Sequence, residues 1–244
     1  MKTLVIIPSR LSATRLPGKP LLQINGLSMI SHVYKKAEQA NIGEVYVAAE
    51  DKEIIDDVNK NGGQAVLTSN NHKTGTDRIY EALKKIGKSD IELVMNLQGD
   101  EPLMDIGDIR NLHNQMVKTK SEMGTLASKI KDKSFFQKEN VVKVLTKQSL
   151  TNLEFSEAIN FMRKSGNLIE NVYHHLGIYC YKVEILKNFV SLNQSPNEIK
   201  NRLEQLRALD NNININVAFA KNSPIGVDTM DDFVAIKKIM EYKS

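Results

Sequence analysis

The chain has 244 residues, 41% of them hydrophobic, enough for one sizeable core and consistent with one or two domains. A formal charge of +4, with Lys and Glu/Asp mixed along the chain, argues against a polyanionic polymer partner but leaves room for a small anion. The single Cys180 excludes an internal disulfide and fits a reducing compartment, and no apolar run reaches the length of a membrane span, so a cytoplasmic protein is expected.

Thr3 to Ile7 is a short β-branched apolar run bounded by Pro8, which predicts a strand buried on both faces. Ser28 is placed to cap a helix carrying Met29, Ile30, Val33, Ala37 and Ala40 on one side. Glu44 to Ala49 reads as a second strand. Asp51 then caps a helix with Ile54, Ile55 and Val58, ended by Gly62 and Gly63. Gln64 to Leu67 is a third strand, Asp77 to Ile86 a helix with Thr76 or Asp77 as its cap, Glu92 to Leu97 a fourth strand, and Ile106 to Val117 a helix. Strands alternating with helices imply βαβ units and a parallel sheet, whose ligands sit beyond the carboxyl ends of the strands.

The second half has a different pattern. Asn140 to Thr146 and Tyr173 to Tyr181 read as strands, Leu153 to Arg163 is ambiguous, and Glu198 to Leu209 reads as one helix. Ile213, Ile215, Val217 and Phe219 alternate with polar or small residues as in a half-buried strand. Thr229 with Asp232 forms a capping-box-like start to a last helix whose Phe233, Ile236, Ile239 and Met240 face inward. With no linker or repeat, residues 1–244 are expected to form one domain. The fold class is then α/β, mainly parallel, with a smaller antiparallel portion in the second half. Cys180, in the strand-like Gly-Ile-Tyr-Cys-Tyr, reads as a buried inert thiol.

Four segments carry chemistry. Arg10, Arg15 and Lys19 follow the first strand in a stretch with Pro8, Pro17, Gly18 and Pro20; the prolines break a helical surface, and the position suits an anion cradle. It is not a P-loop, because Lys19 is followed by Pro20 and Ala13 stands where the first glycine is needed, and no G-x-G-x-x-G motif is present. Asp100, in Gln98-Gly99-Asp100-Glu101-Pro102, follows the fourth strand, and Asp228 precedes the last helix; each suits either a Mg²⁺ ligand or an ordinary turn or helix start. Thr74-Gly75-Thr76-Asp77-Arg78 suits a helix cap or a turn offering backbone groups to a nucleobase.

Taken in order and spacing, "IPSRLSATRLPGKPL", "TGTDR", "NLQGDEP", "HHLGIYCY", "LEQLRAL" and "GVDT" resemble the 3-deoxy-manno-octulosonate (Kdo) cytidylyltransferases, the CMP-Kdo synthetases of lipopolysaccharide assembly. The resemblance implies a Rossmann-like nucleotide-diphospho-sugar transferase fold. It implies Mg²⁺-dependent transfer of CMP from CTP to the anomeric hydroxyl of Kdo, releasing pyrophosphate, by a homodimer. It also implies a nucleotide-binding half, 1–120, and a sugar-binding and dimerisation half, 121–244. By matching motif, Arg10, Arg15 and Lys19 would hold the triphosphate, with Thr74, Gly75 and Arg78 in the cytidine region. Asp100 and Asp228 would hold the metal, and Lys19, Asp100 and Asp228 would be the catalytic set. Gln98, His175, Tyr179, Glu204 and Gln205 would face the sugar. The match fails at one place: the family's F-S-R-A-x-I-P appears here as Phe155-Ser156-Glu157-Ala158-Ile159-Asn160, with Glu157 replacing an arginine that helps bind the sugar acid. Either Arg163 or Lys164 supplies the missing cation, or the acceptor is another acidic sugar such as amino-Kdo or a nonulosonate, or the chain is a non-catalytic nucleotide-binding relative.

Overall fold

The β-branched start of the chain forms β1 (Thr3–Ser9), buried along nearly its whole length. In this computed structural model, which describes all residues except 13, 14, 153, 168, 225, 243 and 244, there follow the hairpin β2 (Gln23–Ile24) and β3 (Leu27–Ser28), α1 (Met29–Ala40), β4 (Glu44–Ala49), α2 (Lys52–Lys60), β5 (Ala65–Leu67), α3 (Gly75–Ile86), β6 (Leu93–Asn96) and α4 (Ile106–Thr119). Then come β7 (Met123–Ser128), β8 (Lys143–Thr146), β9 (Ser156–Met162), β10 (Val172–Lys182), α5 (Val183–Ser191), α6 (Pro196–Asn201), α7 (Leu206–Asp210), β11 (Ile215–Ala220) and α8 (Met230–Tyr242).

The chain groups into two compact units, Lys2–Ile109 with Pro224–Ser244, and Arg110–Ser223 with Met1. The expected halves, divided at residue 120, differ from these units in that the end of the chain returns to the first.

In the first unit β4 pairs parallel with both β1 and β5, and β1 with β6, so the loops after β1, β5 and β6 leave the same edge of the sheet. Ser28 caps α1 as expected, its hydroxyl accepting from the Ser31 amide at 3.2 Å. Asp51 precedes α2 but makes no side-chain cap; its carboxylate accepts instead from the Leu11 amide at 2.7 Å and so tethers the loop after β1. The cap of α3 is Thr74, whose hydroxyl accepts from the Asp77 amide at 3.1 Å, and neither Thr76 nor Asp77 takes that role. The capping box of α8 forms: the Thr229 amide donates to Asp232 and the Asp232 amide to the Thr229 hydroxyl. Phe233 and Ile236 enter a cluster with Leu16, Ile24, Met29 and Val227, whereas Ile239 is exposed, contrary to the inward face expected for it.

The second unit mixes directions. β10 runs antiparallel to β7, β7 parallel to β11, and β11 antiparallel to β9. β8 runs antiparallel to β9 and also to the start of β10. The ambiguous 153–163 segment is strand β9, with Leu153 outside the described residues. The single helix expected over Glu198 to Leu209 is two, because Arg202 adopts the left-handed conformation (φ 54) that ends α6. Strand β7 and helix α5 were not anticipated. Cys180 is buried, and burial pushes its thiol pKa up, as an inert core thiol requires.

Candidate functional site

The loops after β1, β5 and β6, with Asp228 ahead of α8, line a cavity of about 370 Å³. The first loop is shaped by Gly18, whose φ of 71 suits glycine and whose amide donates to Leu11 O at 3.1 Å. This turn, followed by Pro20, directs Lys19 inward, where its side chain is only 13% exposed. The Lys19 ammonium donates to Asp100 Oδ2 at 2.7 Å and to the Val227 carbonyl at 2.7 Å, with Asp228 Oδ1 at 3.9 Å. Arg15 reaches the same Asp228 oxygen at 3.0 Å from a largely exposed position. Arg10 lines the cavity and is also exposed. The two acids and the Arg10–Arg15–Lys19 loop singled out in the sequence therefore meet in space.

Asp100 can stand there because Gly99 leaves room. A Cβ on Gly99 would lie 3.1 Å from the Pro8 carbonyl oxygen and 3.1 Å from Ile30 Cδ1. Gln98 also lines the cavity. The neighbouring Glu101 was not singled out, although it lies in the quoted motif. Its Oε2 is buried without a hydrogen-bond partner among the described residues. Burial, helped by the charge of Asp100, pushes its pKa up to about 8.

Thr74 and Gly75 line the cavity where α3 begins. Arg78 lines it too, but its guanidinium is committed to the protein: it donates to Thr68 Oγ1 at 2.6 Å and Ser69 O at 3.2 Å, and pairs with Glu50. It braces the loop after β5 against the end of β4. His72 and Glu81, absent from the expected set, hold the same loop. Glu81 accepts from the Ser69 amide at 3.0 Å and pairs with Lys85 at 2.7 Å. Burial works to raise the Glu81 pKa, but the hydrogen bonds from Lys85, His72 and Ser69 outweigh it and hold the group down at about 2.

The donor set fits a hard divalent cation. Two carboxylate oxygens, on Asp100 and Asp228, already converge on one ammonium, and oxygen ligands of this kind suit Mg²⁺. Among the described residues no group of three or more His, Cys, Asp or Glu gathers as a metal cage, so such an ion would depend on phosphate and water for its other ligands.

A cytidylyltransferase family profile matches residues 4–215. The 3-deoxy-manno-octulosonate cytidylyltransferase of Afipia carboxidovorans is 42% identical over 240 residues, covering 98% of this chain and 96% of that protein. Its namesake from Thermodesulfovibrio yellowstonii is 40% identical over 251 residues, covering 98% of each. This chain belongs to the 3-deoxy-manno-octulosonate cytidylyltransferase family. The solved structure of CMP:2-keto-3-deoxy-manno-octonic acid synthetase complexed with CTP superposes with a TM-score of 0.91 at 33% identity, covering 100% of both chains. The 4-diphosphocytidyl-2C-methyl-D-erythritol synthase of Anaerococcus prevotii, 14% identical over 98% of each chain with a TM-score of 0.64, shares the nucleotidyltransferase fold.

The expected sugar residues other than Gln98 lie in the second unit. A β-bulge between Leu176 and Tyr179 sets His175 and Tyr179 side by side, ring centroids 5.5 Å apart, with Phe161 edge-on to His175 at 5.0 Å. Thr125 Oγ1 lies 2.7 Å from Ile178 O and 3.0 Å from His175 Nε2. The hydroxyl has one proton and gives it to the carbonyl, so Nε2–H of His175 donates to Thr125 and Nδ1 is left as an acceptor. Burial, then the neighbouring His174, pushes the His175 pKa down to about 3, so the ring is neutral. Burial raises the Tyr179 pKa, with smaller contributions from Tyr181 and Glu204. Gln205 is buried beside it in sequence. Arg207 donates to Glu198 through Nε at 2.8 Å and Nη2 at 2.6 Å, and stacks over Phe189 at 4.8 Å.

The mismatched Glu157 sits on β9 and pairs with Lys147 at 3.0 Å. Both cations suggested as compensation have partners of their own. The Arg163 guanidinium is bound to main-chain carbonyls, and Lys164 pairs with Glu139 at 2.7 Å.

Proposed function

We propose that this chain transfers CMP from CTP to the anomeric hydroxyl of Kdo, releasing pyrophosphate. The convergence of Asp100 and Asp228 on Lys19 carries the chemical part of the reading, and full-length similarity to Kdo cytidylyltransferases carries the substrate. Arg10, Arg15 and Lys19 bind the triphosphate, and Thr74 and Gly75 offer backbone groups to the base, with Arg78 bracing their loop. Asp100 and Asp228 hold Mg²⁺, which when bound offsets phosphate charge and lowers the pKa of the attacking hydroxyl. The sugar oxygen forms the new bond to the α-phosphorus as the bond to pyrophosphate breaks, with no covalent enzyme intermediate. Lys19 and the arginines stabilise the charge that grows on the leaving group. Gln98, neutral His175, Tyr179, Glu204 and Gln205 orient the acceptor.

The reading extends to a cytoplasmic homodimer serving lipopolysaccharide synthesis; no described helix is long and apolar enough to cross a membrane, and sedimentation would report the dimer. Glu157, paired with Lys147 in place of the expected arginine, favours a second reading in which the acceptor is amino-Kdo or a nonulosonate. Pyrophosphate release from CTP and Mg²⁺ with Kdo, amino-Kdo and a nonulosonate decides between them. Release with Kdo above the others supports the first reading, and release with none refutes catalysis.

A further inference from the structure

In the second unit two cations are held almost entirely by main-chain oxygen. The Lys143 side chain is buried, and its ammonium donates to the carbonyls of Lys138 at 2.7 Å and Val141 at 2.7 Å, and to that of Arg163. The Arg163 guanidinium reaches outward from the same point in three directions: Nε to Asn201 O at 2.8 Å, Nη1 to Glu139 O at 3.1 Å and Nη2 to Arg202 O at 2.9 Å. The carbonyls of Asn201 and Arg202 belong to the end of α6, where intrahelical partners run out and a cation is favoured. One side chain therefore ties the 138–142 loop and the end of β9 to the turn between α6 and α7. That turn starts at Arg202, held in the left-handed conformation, and leads directly into Glu204 and Gln205.

We infer that Arg163 is a positioning residue for the acceptor: by holding the Asn201 and Arg202 carbonyls it fixes the turn that presents Glu204 and Gln205. This rests on the reading that those two residues face the sugar. This role acts through the turn and needs no contact between Arg163 and either substrate. A planar fork with donors spread over three carbonyls is needed, and neither a lysine nor a neutral chain can reproduce it. The carbonyls that Arg163 holds belong to the second unit, whereas the cavity assigned to the nucleotide is lined by the first, so the effect is specific to one substrate.

The test compares wild type, Arg163→Met and Arg163→Lys in three measurements: steady-state pyrophosphate release with Kdo and CTP varied separately, CTP binding by calorimetry, and amide exchange by mass spectrometry. For Arg163→Met the expected result is a tenfold or greater rise in KM for the acceptor. KM and Kd for CTP should stay within twofold, and exchange should quicken over residues 201–207. Arg163→Lys, keeping the charge on a single nitrogen, should recover part of the acceptor KM. Unchanged exchange over 201–207 overturns the inference. So does faster exchange with an unchanged acceptor KM, or an equal loss for both substrates, either of which makes Arg163 merely structural. A wild-type protein that releases no pyrophosphate with any acidic sugar overturns the functional reading itself. That result appears before any substitution, so the two failures are distinct.

Discussion

Replacing Lys19 with methionine removes one ammonium while nearly preserving side-chain length. The structure assigns that ammonium two short charge-assisted hydrogen bonds, each 2.7 Å, and a third oxygen at 3.9 Å, in a position only 13% exposed. Two opposite effects follow. In catalysis, losing a preorganised cation at the leaving group costs about 3–4 kcal/mol, or roughly a hundredfold to a thousandfold in kcat. In the absence of nucleotide, however, Lys19 competes with a metal for Asp100. A hydrogen bond to a charged group contributes about 1.5–3 kcal/mol, so its removal should raise the affinity for a divalent cation about tenfold or more. Turnover by pyrophosphate release and Mn²⁺ binding followed by electron paramagnetic resonance measure the two sides on the same protein. A folded Lys19→Met protein with kcat within tenfold of wild type, or with weaker metal binding, would refute this account of the site. Asp100→Ala should lose turnover by a similar factor, but with metal affinity lowered.

Three other perturbations probe the scaffold. Glu81 has a folded pKa of about 2 against an ordinary 4.5, so it contributes stability that is fully present above pH about 4.5 and is lost as pH falls toward 2. Acid titration of wild type and Glu81→Gln should show the difference between them shrinking through that window. Glu198→Gln removes both short charge-assisted bonds of the Arg207 guanidinium, buried at 4% exposure, and leaves it the longer Glu204 contact at 3.8 Å, which costs up to about 3–5 kcal/mol and should lower Tm by up to roughly 20 °C in calorimetry. Gly99→Ala places a methyl 3.1 Å from the Pro8 carbonyl oxygen, a backbone atom that cannot rotate away. Strain of about 1–3 kcal/mol and a displaced Asp100 should appear as lower Tm and a greater than tenfold loss of turnover.

The first unit was readable because its strands are buried on both faces and its helices are amphipathic, so each type left its own pattern. Glu44–Ala49 is a strand with the bounds its sequence suggests. The second unit hides its elements. Strand β7 is Met-Gly-Thr-Leu-Ala-Ser, buried at every position, and it has neither alternation nor a β-branched run. Its glycine answers to packing: a Cβ on Gly124 would meet Met116 Sδ at 2.6 Å. The Asn25-Gly26 turn, with φ of 50 and 73, marks a tight hairpin whose strands are only two residues each, too short for periodicity to register. Helices α6 and α7 read as one because Arg202 is an ordinary helix former, and only the left-handed conformation it adopts divides them.

The arginines mark where sequence reasoning about the site runs out. Arg15, Arg78, Arg163 and Arg207 carry the same charge and the same fork, yet each does something different. Arg15 stays largely exposed against the Asp228 carboxylate, Arg78 braces two strand ends, Arg163 draws three carbonyls together, and Arg207 neutralises a buried glutamate. The number and kind of donors are fixed by residue type, but their direction depends on which carbonyls the fold leaves unpaired nearby. Those carbonyls come from helix ends and loop crossings that leave no residue-level pattern. A cation motif in a sequence therefore locates candidates, and the partners that the fold places around each one separate a ligand-binding cation from one that holds the site in shape. By that criterion Arg15 and Lys19, whose carboxylate partners are themselves the candidate metal ligands, are the groups that an incoming metal-triphosphate would re-pair, while Arg78 and Arg163 would keep their partners through the reaction.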